Sequence, residues 1–324
     1  MPRRIGMFAC VLLAAMIAGI APARAEYPDK PIRLIVPQAP GSATDTVARI
    51  LAAELGPLLG QQVIVENKPG GALTIGIDYV AKAAPDGYVI GVGPIGALAI
   101  TRHMVAKLPY VIERDLTPIA LIARGHLLLA ASPTIEVKSV KDLIALAKAK
   151  PGQLSNASSS NGSPGHVGAE LFKFMAGIDA VHVPYRGGAA ATTDLIAGRV
   201  QFMFESLNSI ASHAKSGAVR ALAVSGDRRS PAFPEIPTVA EAGVIGYSAP
   251  TWSGVIGPAG LPRPIVEKLN AAVNAAIKTK AFQDRFGAIG DEPAGGSAEE
   301  FAQTIARDSA KWKDVVQRSG AKLD

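Results

Sequence analysis

The feature that most constrains this chain is a repeated order of local patterns. A short β-branched run is followed by a glycine- or proline-bearing turn, then by a helical stripe. Ile32-Arg33-Leu34-Ile35-Val36 reads as a buried strand and Pro37 to Ser42 as a turn. Val47, Ile50, Leu51, Leu55, Leu58 and Leu59 then fall on one helical face. Val63-Ile64-Val65, the turn Pro69-Gly70-Gly71 and a helix from Ile75 to Ala83 repeat the order, and Val89-Ile90-Gly91-Val92 begins a third round. Alternation of this kind predicts an α/β fold with parallel pairing and right-handed crossovers.

A second series follows. Leu127 to Ala131 is a strand, and Ser139 to Lys150 is a helix closed by Pro151-Gly152. Strands over Gln153 to Ala157, Val181 to Val183, Val200 to Phe204 and Arg220 to Val224 alternate with helices over His166 to Ala176 and Ala189 to Ala197. Two series of similar size predict two lobes, each built on a largely parallel sheet. The expected division is 26–120 for the first lobe and 121–240 for the second, with the passage near Leu116 to Arg124. A return crossing is expected near Pro237 to Trp252, with Trp252 as a lobe-joining core residue. Residues 241–324 then carry that crossing and C-terminal helices that pack mainly back on the first lobe. The 33 glycines and 24 prolines suit many short elements joined by turns.

The N-terminal segment reads differently. Arg3 and Arg4 precede an apolar or small run from Ile5 to Ala21, and Ala23-Arg24-Ala25 ends it. This is the pattern of a secretory signal peptide over residues 1–25, cleaved after Ala25. The expected location is therefore the periplasm. The only cysteine, Cys10, sits in the middle of that run, so the exported chain has neither disulfide nor thiolate metal site. The net charge of +6 falls to +3 without the leader, which holds three arginines and no acids. So small an excess does not point to nucleic acid.

Chemistry is hard to find. The five histidines, His103, His126, His166, His182 and His213, form neither H-x-x-x-H nor H-E-x-x-H. There is no G-x-S-x-G and no P-loop. Gly91-Val92-Gly93-Pro94-Ile95-Gly96 matches a dinucleotide fingerprint, with Asp115 farther on. It follows the third strand rather than the first, and Asp115 does not close a strand. The expectation is no enzyme, no cofactor and no metal.

The turns at the strand ends are better candidates. Pro37 to Asp45 and Asn67 to Gly76 each leave a strand and open a helix, where free backbone N–H groups can meet an anion. Ser42 and Asp45 also suit a capping box that satisfies only the helix itself. Tyr185-Arg186-Gly187-Gly188 and Glu205-Ser206 lie at comparable edges of the second series, and Arg186 has the fork to hold a carboxylate.

At these turns the sequence resembles the Bug-type extracytoplasmic solute receptors, the binding components of tripartite tricarboxylate transporters. The resemblance rests on Tyr27-Pro28, on Val36-Pro37 with Ala39-Pro40-Gly41 and Thr44-Asp45, and on Glu66-Asn67-Lys68-Pro69-Gly70. It continues through Ala83-Ala84-Pro85-Asp86-Gly87-Tyr88, Lys150-Pro151-Gly152, Ala157-Ser158-Ser159, His182-Val183-Pro184-Tyr185 and Ile236-Pro237-Thr238-Val239-Ala240-Glu241-Ala242-Gly243. It implies a Venus-flytrap receptor, acting as a monomer, that closes on a small carboxylate and docks to integral-membrane transporter subunits. Carried onto this chain, the first turn supplies Gly41, Ser42, Ala43 and Asp45, and the second Gly70, Gly71 and Thr74. The opposite lobe supplies Ser159, Asn161, Tyr185, Arg186 and Glu205. The sequence departs from the family at Ser42, where a second glycine is usual, at Arg186, commonly Lys, and at Glu205-Ser206, commonly an acid followed by Asn. Two readings stay open beside this one: a secreted hydrolase with a serine at the lobe interface, and a solute sensor for a signalling partner.

Overall fold

The computed structural model describes residues 27–319. The leader over 1–25 and its cleavage after Ala25 lie outside them. The first part of the chain runs β1 (Ile32–Val36), α1 (Ala43–Leu59), β2 (Val63–Asn67), α2 (Thr74–Ala81), β3 (Val89–Pro94), α3 (Ile112–Asp115) and β4 (Leu116–Gly125). The middle runs β5 (Leu127–Ala131), α4 (Val140–Ala149), β6 (Ser155–Ser158), α5 (Pro164–Ala176), β7 (Val181–Pro184), α6 (Gly188–Ile196), β8 (Phe202–Ser206), α7 (Leu207–Lys215) and β9 (Arg220–Val224). The last part holds β10 (Thr251–Pro258), α8 (Arg263–Ala276), α9 (Lys280–Ile289), β11 (Glu292–Pro293) and α10 (Ala298–Ser319).

Two sheets result, ordered β11-β4-β10-β3-β1-β2 and β7-β6-β8-β5-β9. Pairing is parallel where the βα alternation is local: β1 with β2 and β3, and β6 with β7 and β8. It is antiparallel for β10 against β3 and β4, for β11 against β4, and for β5 against β8 and β9. Both sheets are therefore mixed, which corrects the expectation of largely parallel ones. The reason lies in the crossings. β1, β2, β3, β6, β7 and β8 all end where the two sheets face each other. A strand entered from the opposite sheet must start at that edge and run the other way.

The stretch expected as the passage, Leu116 to Arg124, is itself most of β4. The chain leaves the six-stranded sheet at Gly125 and starts β5 at Leu127. It returns between Val224 and Thr251, where Ser225 Oγ donates to the Ala249 carbonyl at 2.7 Å and the Leu127 N–H donates to Ser225 Oγ at 2.9 Å.

The periodic stripes explain the packing. Val47, Leu51 and Leu55 of α1 join Leu34, Ile90, Val255 and Val273 in an apolar layer on one side of the six-stranded sheet. A second layer lies across both sheets, from Ile35 and Ile95 through Trp252 and Trp312 to Phe172 and Phe204. α10 belongs to that layer, packing on β4 and also on α5 beside the second sheet.

Candidate functional site

The strand ends enclose a cleft of about 720 Å³, within the size range of small-molecule sites. The first turn forms one lip. Ser42 caps α1, its Oγ accepting from the Asp45 N–H at 3.3 Å. Asp45 is only 2% exposed and faces back, accepting from the Gly41 N–H at 2.8 Å, Arg49 Nε at 2.9 Å and Asn67 Nδ2 at 2.9 Å. Burial pushes its carboxyl pKa up, yet these bonds outweigh that and hold it below the ordinary aspartate range. Asn67 also donates to the Gln38 carbonyl at 2.9 Å, so one side chain ties the two turns together.

The second turn is strained. Gly70, Gly71, Ala72 and Leu73 all have positive φ, at 118°, 55°, 51° and 78°. Ala and Leu hold that conformation at a cost of about 1–3 kcal/mol each. Bonds from the Leu73 N–H to the Gly70 carbonyl, Thr74 Oγ1 to the Gly71 carbonyl and Thr101 Oγ1 to the Ala72 carbonyl hold it, with Leu73 buried. Gly70, Ala72 and Leu73 line the cleft.

The second sheet supplies the other wall. Its loops are laced together: the Tyr185 N–H donates to the Ser158 carbonyl at 2.9 Å, and the Gly187 N–H to the Ser159 carbonyl at 2.8 Å. Tyr185 turns its hydroxyl to Asp194 at 2.7 Å; burial and that neighbour push the phenol up to about 12. Behind the loop, His166 stacks on His182 with ring centroids 3.8 Å apart. Burial pulls them down to about 3 and about 4, so both are neutral. Arg186 is exposed and lines the cleft, and so is Arg124 at the end of β4. Among the described residues, neither guanidinium has a hydrogen-bond or ion-pair partner.

Of the twelve residues expected from the sequence, eight line this cleft: Gly41, Ser42, Ala43, Gly70, Ser159, Tyr185, Arg186 and Glu205. Four do not. Asp45 braces the first turn from behind, and Thr74 with Gly71 closes the second by its side-chain bond. Asn161 sits exposed at the tip of a turn closed from the Ser163 N–H to the Ser160 carbonyl. The structure adds Arg124, Thr192, His213, Thr251, Trp252 and Ser253 among others. Trp252 is 3% exposed, edge-on to Phe301, and donates from Nε1 to Asp308 at 2.6 Å, so it is core and cleft wall at once. A more open trough of about 630 Å³ around Lys68, Tyr79 and Lys82 holds none of the expected residues.

Known proteins resemble this arrangement. Residues 47–321 match the family described as tripartite tricarboxylate transporter family receptor. Protein BugT of Bordetella pertussis is 36% identical over 100% of this chain and 99% of its own length. The structure of R. palustris Rpa4515 with adipate has a TM-score of 0.88 at 36% identity, covering 92% of this chain and 100% of that one. MatC (Rpa3494) from Rhodopseudomonas palustris with bound malate has a TM-score of 0.84 at 31% identity, covering 90% of this chain and 100% of the other. On these grounds, the two-lobed α/β chain belongs to the receptor family of the tripartite tricarboxylate transporters.

Proposed function

We propose that the chain is a periplasmic solute-binding receptor that captures a small carboxylate between its lobes and delivers it to a membrane transporter. The observation that carries this reading is the lining of the cleft. The capped start of α1 opens into it, and two unpaired guanidinium groups, Arg124 and Arg186, share it. Such a site attracts an anion; the serine held against a histidine behind it, Ser158 Oγ with His182 Nε2 at 2.7 Å, is fully buried and does not line the cleft. The relatives with adipate and malate support the substrate class.

In this reading the eight lining residues hold the ligand, and Asp45, Gly71 and Thr74 shape the turns. Ligand contacts on both walls favour the closed state, and transporter subunits recognise that state. The receptor acts as a monomer, without cofactor or turnover, after cleavage behind Ala25. The hydrolase alternative gains no support from Ser42, whose Oγ serves as a helix cap.

A thermal-shift screen tests the proposal, using adipate, malate, succinate, butyrate and hexanoate. A hundredfold excess over Kd adds about 2.7 kcal/mol to the native state. For a chain this long that is roughly a 4–8 °C rise in Tm. The stabilising compound should be recovered unchanged; its conversion at an enzyme-like rate would refute the receptor.

A further inference from the structure

One wall of the cleft carries polar atoms with no partner. Glu205, the last residue but one of β8, is 4% exposed and lines the cleft. Its Oε1 accepts from the Ser206 N–H at 2.9 Å, while its Oε2 is buried without a hydrogen-bond partner. Thr192 lines the same cleft at 2% exposure, and its Oγ1 is likewise buried and unpartnered. Thr192 lies one helical turn beyond Gly188 on α6, so the two share a face. Gly188 keeps the wall open, since a Cβ there would lie 2.9 Å from Glu205 Oε2. Buried polar atoms are normally satisfied, so two unsatisfied ones beside a cavity call for a ligand group.

We propose that Glu205 and Thr192 form the subsite for the second carboxylate of a dicarboxylate ligand, and that Glu205 enters the complex as the neutral acid, donating its proton in a hydrogen bond to that carboxylate. This rests on the receptor reading above. The O–H···O⁻ bond is of the short, strong, charge-assisted kind, and the Thr192 hydroxyl supplies a second donor. No covalent bond changes; one proton moves from solvent to Glu205 when the free carboxylate is ionised.

The surroundings favour the neutral form. Burial, eased slightly by the Ser206 N–H, pushes the Glu205 carboxyl up to about 7. β5 faces it with Leu128, and from β6 comes no charged side chain. α5 contributes neutral His166, with Glu170 and Lys173 paired to each other at 2.6 Å. On α6 Asp194 is taken by Tyr185 and Arg199. The remaining groups of the cleft are Arg186 on the loop before α6, His213 on α7, and Arg124 and Asp291 opposite. An ammonium ligand would prefer ionised Glu205, but it would share the cleft with both unpaired guanidinium groups. A dicarboxylate meets them as partners.

Calorimetry on the full mature chain tests this, with succinate, glutarate, adipate and malate against butyrate and hexanoate, from pH 6 to pH 8. If only neutral Glu205 binds, dicarboxylate Kd rises about tenfold over that range, because the binding-competent fraction falls as pH passes about 7. In buffers of differing ionisation enthalpy at pH 7.5, binding should take up most of one proton. The monocarboxylates should show neither effect. Glu205→Gln, a fixed neutral donor of the same shape, should bind dicarboxylates equally at both ends of the range and take up no proton. Undiminished pH dependence in Glu205→Gln would assign the proton to another group and overturn the proposal. Affinity that rises with pH would overturn it in favour of a cationic ligand group. Tight monocarboxylates with no dicarboxylate binding would refute the subsite and leave the receptor standing, while no binding by any carboxylate would refute both.

Discussion

Arg186 brings a full charge to the cleft with no hydrogen-bond or ion-pair partner among the described residues, on a loop whose backbone is laced to its neighbour. Its guanidinium has the planar fork to hold a carboxylate, at the cost of ordering the side chain on binding. A charge-assisted hydrogen bond contributes about 1.5–3 kcal/mol. Arg186→Ala should therefore weaken a dicarboxylate such as adipate by roughly tenfold to a hundredfold. Hexanoate should lose far less, and Arg186→Lys should recover only part of the loss. Isothermal titration of the three proteins against both acids decides it; equal affinities throughout would reduce Arg186 to an exposed surface charge.

At the scale of elements, close approach rather than charge sets the geometry. α5 lies so near β8 that a Cβ on Gly165 would come within 2.2 Å of the Phe204 carbonyl oxygen, a backbone atom with little freedom to move. Glycine in a helix normally costs about 1 kcal/mol relative to alanine. Gly165→Ala should nevertheless destabilise by about 1–3 kcal/mol, because the helix must be pushed off the strand that carries Glu205. Gly287→Ala in α9, where nothing lies within 4 Å, should gain up to about 1 kcal/mol. Urea midpoints of the two variants should move in opposite directions.

The same contrast explains what the sequence made legible. Most strands and helices were readable because their periods of 2 and 3.6 are local, and so were the turns that open α1 and α2. The strands β4 and β10 were not, since β4 lies where the sequence reads as a crossing and β10 begins within another, and the direction of β5 depends on crossings outside any local window. Thr74 and Asn161 belong to the expected turns, but turn closure decides that neither lines the cleft. Arg124, Thr192 and Trp252 carry no motif and reach the cleft only when three separate elements converge. The dinucleotide-like glycines have a packing role: a Cβ on Gly93 would strike Leu98, and one on Gly96 would crowd the Gly162 carbonyl of the facing lobe.

At the scale of the molecule, the five-stranded sheet is one uninterrupted stretch of chain, from β5 to β9. The six-stranded sheet is not. Its interior strand β10 sits between β3 and β4 yet comes after the whole of the other sheet. Contacts separated by so much sequence form late, because loop closure precedes their reward. Pulse-labelled hydrogen exchange during refolding should therefore protect amides of β5, β6 and β8 before those of β10 and β4. Simultaneous protection would mean that the sheets fold as one unit.

The late arrival of β10 also bears on synthesis. Thr251, Trp252 and Ser253 complete the cleft from that strand. A chain emerging from its N-terminus has both turns and both arginines before it has this wall. A chain truncated before Thr251 lacks that wall and should hold a solute less tightly than the full-length molecule.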